Sequence, residues 1–184
     1  SRSHTWWKGR PAMLPPTLLF AKTTVYQFDR TSGPMSFDTD SFPIGVDSCA
    51  TCCITDNKGD FQPGTIRQAH TRVEGIGGHQ KGEWTGTAQW TVTDDSGRQH
   101  RLIIPNTLLV AKGTLPFRLL SPQHFAQQNY KTGVDTDIRG TDARICGVDN
   151  ILSWADHKYQ ITTALSKGSN VALINSTPGY SQFT

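Results

Sequence analysis

The chain has 184 residues, 35% of them apolar and 18% charged, with a formal net charge of +3. That length buries one ordinary core and a small subdomain, which excludes the two homologous lobes of a pepsin-sized enzyme. So mild a charge, with no Lys/Arg run, gives no basic patch and no expectation of direct nucleic-acid binding, and no apolar run is long enough to span a membrane.

Residues 1–41 read as an N-terminal arm or linker. Pro11, Pro15 and Pro16 follow Trp6 and Trp7 too closely for a long helix, Thr23 to Phe28 reads as one edge strand, and Thr31-Ser32-Gly33-Pro34 is a turn. The start, Ser1-Arg2-Ser3-His4, has neither an initiator methionine nor a signal-peptide core, so a soluble piece of a longer polypeptide is expected. Asp38-Thr39-Asp40 lies among polar neighbours and reads as a loop.

The stretch FPIGVDSCATCCI, Phe42 to Ile54, organises the rest of the chain. Phe42, Ile44 and Val46 alternate as a half-buried strand that ends in a carboxylate, Asp47, followed by the small residues Ser48, Cys49 and Ala50. A carboxylate held between apolar arms is partly desolvated, and such an acid suits acid-base chemistry. On spacing alone a lone acid at a strand end is more often a hydrogen-bonded structural residue.

The four cysteines, Cys49, Cys52, Cys53 and Cys146, make a poor disulfide framework and are expected to be reduced. Cys49-x-x-Cys52 has no second pair to complete a tetrahedral metal site, so small buried thiols are expected, with no metal and no cofactor.

Past Ile54, Thr55 to Phe61 is expected to be a turn with one anchoring aromatic, and Pro63-Gly64 a second turn. Gly75-Ile76-Gly77-Gly78 does not match a phosphate-cradling spacing and reads as a flexible hairpin tip or bulge. Trp84, Gly86, Ala88, Trp90 and Val92, then Leu102 to Ile104, read as a β-hairpin turning at Asp94-Asp95-Ser96-Gly97. Asp95-Ser96-Gly97 is rejected as a reactive site because polar residues surround what reads as a solvated turn. Leu108-Leu109-Val110 is a further strand, and Ser121 caps a short helix that has Pro122 at its first position and runs to about Gln128. Gly133 to Asn150 is polar and turn-rich, with Asp135-Thr136-Asp137 as a loop. Tyr159 to Leu165 and Val171 to Ile174 are two last strands.

Val46-Asp47-Ser48-Cys49-Ala50-Thr51 resembles the Asp-Ser-Gly-Ala-Thr signature of the aspartic proteases of copia-type (Pseudoviridae) retrotransposons, with Cys49 where that family has glycine. The glycine-rich run at Gly75 to Gly78 is similar to the retropepsin flap. Leu119-Leu120-Ser121 resembles the family's Leu-Leu-Ser segment, and the order of the three is the retropepsin order.

The resemblance implies a mainly β protein: a small closed β-barrel of the retropepsin type with one short helix over residues 42–130, and a C-terminal β extension toward integrase over 131–184. It implies a cytoplasmic, homodimeric peptidase inside the particle of a retroelement, acting on peptide segments of its own polyprotein. Asp47 and Ser48 would be catalytic, and Cys49, Ala50, Gly75, Ile76, Gly77 and Gly78 would line the peptide. Two alternatives stand beside it. One is a decayed protease that dimerises or binds peptide without cutting, because Cys49 replaces the glycine; the other is a non-enzymatic β-barrel interaction domain.

Overall fold

A computed structural model describes residues 17–19, 41–75, 78–132, 141–165 and 171–178. The expected strand at Thr23 to Phe28 lies outside them, as do the Asp38 and Asp135 loops. The protein is mainly β. Its strands are β1 (Thr17–Leu19), β2 (Pro43–Val46), β3 (Ile54–Thr55), β4 (Arg67–Gly75), β5 (Gly78–Thr93), β6 (Gln99–Leu109), β7 (Arg118–Leu120), β8 (Asp142–Cys146), β9 (Asp149–Trp154), β10 (Tyr159–Ala164) and β11 (Ala172–Asn175). Among the described residues one α-helix, α1, spans Pro122–Thr132, and one 3-10 turn spans Lys58–Asp60.

Eight strands form one sheet in the order β1-β4-β5-β6-β3-β7-β2-β11, and β10-β9-β8 form a second. Among the described residues no ladder joins β1 to β11, so the main sheet is open where the resemblance implies a closed barrel. β7 runs between β2 and β3, parallel to the first and antiparallel to the second, so the chain from β2 to β3 straddles a strand made some seventy residues later. That placement explains why β2 is buried on both faces rather than alternately. Ile44, Gly45 and Val46 are all buried, and a Cβ on Gly45 would overlap the ring of Phe117.

The long hairpin of β5 and β6 follows its expected alternation from Ala88 on: Ala88, Trp90 and Val92 are fully buried, while Gln89 and Thr93 face water. Before the register shift the expected set breaks, with Trp84 exposed and Thr85 buried. β6 continues without a break through Leu109, although the sequence reads there as two strands. Its ladder with β5 shifts register between Gly86 and Ala88, at a bulge holding Pro105 and Asn106, the latter at φ 56°. The bulge hides the continuity.

Strand alternation sends neighbouring residues to two apolar clusters. Leu120, Leu109 and Cys53 join the larger one with Ile44, Trp90 and Ile174; Leu119, Leu108 and Cys52 join a smaller one with Ala50, Ile54 and Val110. Leu152, Trp154 and Ile161 of the second sheet pack into the larger cluster, and β11 pairs with β2. The region that reads as polar turns before Asn150 contains β8, an edge strand held by its ladder to β9.

Candidate active site at the Asp47 loop

Asp47 is the first residue past β2. Its N–H donates to the Leu120 carbonyl at 3.0 Å, so the acid is pinned by the last rung beside β7. The chain then turns: the Ala50 N–H donates to the Asp47 carbonyl at 3.3 Å, and the Cys49 N–H donates to Asp47 Oδ1 at 2.8 Å. Asp47 is half-buried, Ser48 and Cys49 are exposed, and Ala50 is buried. Cys49 is not among the described residues with positive φ, so an L side chain sits there without backbone strain.

The start of α1 clamps this loop from below. Ser121 Oγ donates to the Ala50 carbonyl at 2.6 Å and accepts the His124 N–H at 3.2 Å, which is the helix cap expected from sequence. Gln123 Nε2 donates to the Ser48 carbonyl at 2.5 Å. The Cys53 N–H donates to His124 Nδ1 at 3.2 Å, which leaves the proton of the neutral ring on Nε2. Sequence does not single out Gln123 and His124; their signal is their place in the first turn after the Ser121 cap. Helix and loop form one hydrogen-bonded unit.

Cys52 and Cys53 are buried as expected, but Cys49 and Cys146 are exposed. Burial pushes the Cys52 thiol up to about 12 and raises that of Cys53 as well, so neither supplies a thiolate at neutral pH. Gly75 and Gly78 pair with each other where β4 meets β5, and Ile76 and Gly77 between them lie outside the described residues.

A second acid sits in the core. Asp60, at the end of the 3-10 turn, accepts from Thr55 Oγ1 at 2.5 Å, Trp90 Nε1 at 3.2 Å, and Arg118 Nε and Nη2 at 3.0 and 3.2 Å. Arg118 also stacks over the Phe42 ring, 3.8 Å from its centroid. Both carboxylate oxygens of Asp60 are engaged, which makes it a brace between β3, β5 and β7.

The Asp94-Asp95-Ser96-Gly97 turn is less solvated than its composition implies. Asp94 is buried and accepts from Ser96 N and Oγ, Arg98 N and His100 Nε2. Those bonds, the Ser96 hydroxyl first and then His100, hold its carboxyl well below the usual carboxylate range. Asp95 is exposed and tied to β10 through the Thr162 N–H and hydroxyl at 2.9 and 2.8 Å. Turn and strand occupy both acids.

Among the described residues no three His, Cys, Asp or Glu side chains converge as a metal site would require, and no helix is long and apolar enough to cross a membrane. No family model, no curated protein and no solved structure matches the chain.

Proposed function

We propose that the chain is a retropepsin-type aspartic endopeptidase of a copia-like retroelement, active as a homodimer in the cytoplasmic particle and cutting peptide segments of its own polyprotein. The observation that carries this reading is the hydrogen-bonded unit of loop and helix: an Asp-Ser loop between β2 and β3, with β7 running between those strands and leading directly into the helix that clamps the loop. The long β4–β5 hairpin with glycines at its tip supports a flap that covers bound peptide.

In that dimer the two Asp47 carboxyls face each other across the two-fold axis, a position to which the exposed Ser48 and Cys49 leave access. Two carboxylates at close range share one proton, for which aspartic proteases are the standard instance. The ionised partner takes a proton from a bound water, whose oxygen attacks the scissile carbonyl carbon. The protonated partner donates to the carbonyl oxygen, giving a neutral gem-diol. Collapse of that diol breaks the C–N bond, with a proton delivered to the departing nitrogen, and yields an acid and an amine.

Cys49 is compatible with this chemistry. What glycine gives the family is a backbone N–H against the acid, and the Cys49 N–H makes that contact at 2.8 Å with its side chain turned to solvent. The same exposed thiol is what favours the second reading, a retropepsin-like module that pairs or holds peptide without cutting, because it adds bulk where two loops would meet.

Asp47→Asn should abolish cleavage of a polyprotein-derived peptide while leaving the circular dichroism spectrum unchanged, and a statine-type transition-state mimic should inhibit the parent. Specific activity should fall on dilution as dimers dissociate. Loss of cleavage in Asp95→Asn with retention in Asp47→Asn would overturn the assignment.

A further inference from the structure

Where β3 and β6 end lies a pocket of about 600 Å3, within the range of small-ligand and side-chain sites. Its position follows from strand pairing. β3 and β6 run parallel, pairing Thr55 with Leu109, so the chain leaves the two strands side by side. Trp84, on β5 beside Leu109 and opposite Gln68 of β4, forms one wall at the base of the long hairpin.

The lining is apolar with an unbalanced charge. Trp84 is 43% exposed, a large ring left in water; exposed Ala111 lies in the lining with it, and buried Val110 forms part of the floor. Asp56 lines the pocket too, but its Oδ2 already accepts the Gly113 N–H at 2.7 Å. Lys58 and Lys112 are exposed at the pocket, and neither pairs with a carboxylate among the described residues.

We propose that this pocket binds an acidic peptide segment, seating one aromatic or large aliphatic side chain against Trp84, Val110 and Ala111 and its neighbouring carboxylates on Lys58 and Lys112. Two ammonium groups match two side-chain carboxylates, each as a flexible point charge. With Asp56 in the lining the net charge of the pocket is a single positive one, which suits a peptide with few carboxylates better than a nucleic-acid strand with a phosphate at every residue. The lining includes neither Asp47 nor Ser48.

The test is fluorescence anisotropy of the full chain with a fluorescein-labelled, end-blocked peptide carrying one phenylalanine between two aspartates. Saturable binding is expected, weakened at least tenfold by Lys58→Glu combined with Lys112→Glu, by Trp84→Ala, and by raising salt from 50 to 500 mM, roughly a threefold shorter screening length. Peptides with the aspartates changed to asparagine, or the phenylalanine to serine, should each bind at least tenfold more weakly. The paired lysine variant alters exposed side chains only, so it decides the matter even if Trp84→Ala fails to fold. The proposal is overturned by absence of saturable binding to the parent chain, by equal binding to the paired lysine variant, or by an oligothymidylate that binds more tightly than the peptide and displaces it.

Discussion

Ser121 holds Ala50: its hydroxyl donates to the Ala50 carbonyl at 2.6 Å while accepting the first capped amide of α1 from His124. One oxygen therefore joins the helix to the loop that carries Asp47, and both groups it serves are buried. Ser121→Ala leaves an unsatisfied carbonyl and an uncapped helix. The expected loss is about 2–3 kcal/mol in urea unfolding, with Ser121→Thr recovering part of it. A change below about 0.5 kcal/mol would mean that the clamp contributes little.

The Asp60 brace makes a second test. Arg118→Met removes the partner that satisfies both carboxylate oxygens and leaves a buried charge with Thr55 and Trp90 as its remaining donors. Breaking a buried pair from one side typically costs about 3–5 kcal/mol; because the Arg118 side chain is 17% exposed, the lower end is expected. Asp60→Asn with Arg118→Met together should be less damaging than the sum of the two, measured as a double-mutant cycle by urea denaturation.

Stability should depend on pH through Asp94. Its folded carboxyl titrates below the ordinary range, chiefly through the Ser96 hydroxyl and then His100, so the folded state holds the charged form more strongly than the unfolded chain does. The resulting stabilisation is present above the unfolded value of about 3.9 and is lost as pH falls from there toward the lowered folded value. The urea midpoint should drop between pH 4 and pH 2, and Asp94→Asn should flatten that limb while lowering stability at neutral pH. Equal slopes in both proteins would remove Asp94 from the account.

Cys49 separates the two functional readings. In an active peptidase, Cys49→Gly should change turnover by less than about tenfold, equivalent to about 1.4 kcal/mol in the barrier. In a decayed one, restoring the glycine should raise turnover from background by far more. An alkylating agent should slow the parent and spare Cys49→Gly, because the parent's exposed Cys49 thiol lies beside the acid while the buried Cys52 and Cys53 are shielded. Peptide cleavage by both proteins, with and without the agent, gives the answer.

Much of the local structure is legible in the sequence because its cause is local. Ser121-Pro122 announces a helix start from two residues, and Ala88, Trp90 and Val92 announce a strand from their spacing. Asp60 is illegible for the opposite reason: its turn composition is ordinary, and the partners that make it a core residue, Trp90 and Arg118, lie 30 and 58 positions away. β8 escapes a sequence reading because Arg144, Ile145 and Cys146 are all exposed at an edge, so no alternation is imposed on them. The Asp94 turn reads as solvated because nothing in its neighbours foretells that β10 packs over it through Asp95 and Thr162.

The pairing of β11 with β2 has a consequence for the order in which the molecule comes into being. β2 leaves the ribosome before its two hydrogen-bonded neighbours, β7 and β11, which are made about 75 and 130 residues later. Until Ala172–Asn175 arrives, the strand that ends at Asp47 has one flank bare. Closing so large a loop late is entropically slow. The acid is therefore synthesised well before the strands that set it in place, and a nascent chain that has only just reached Asp47 has not yet made the neighbours that build its site.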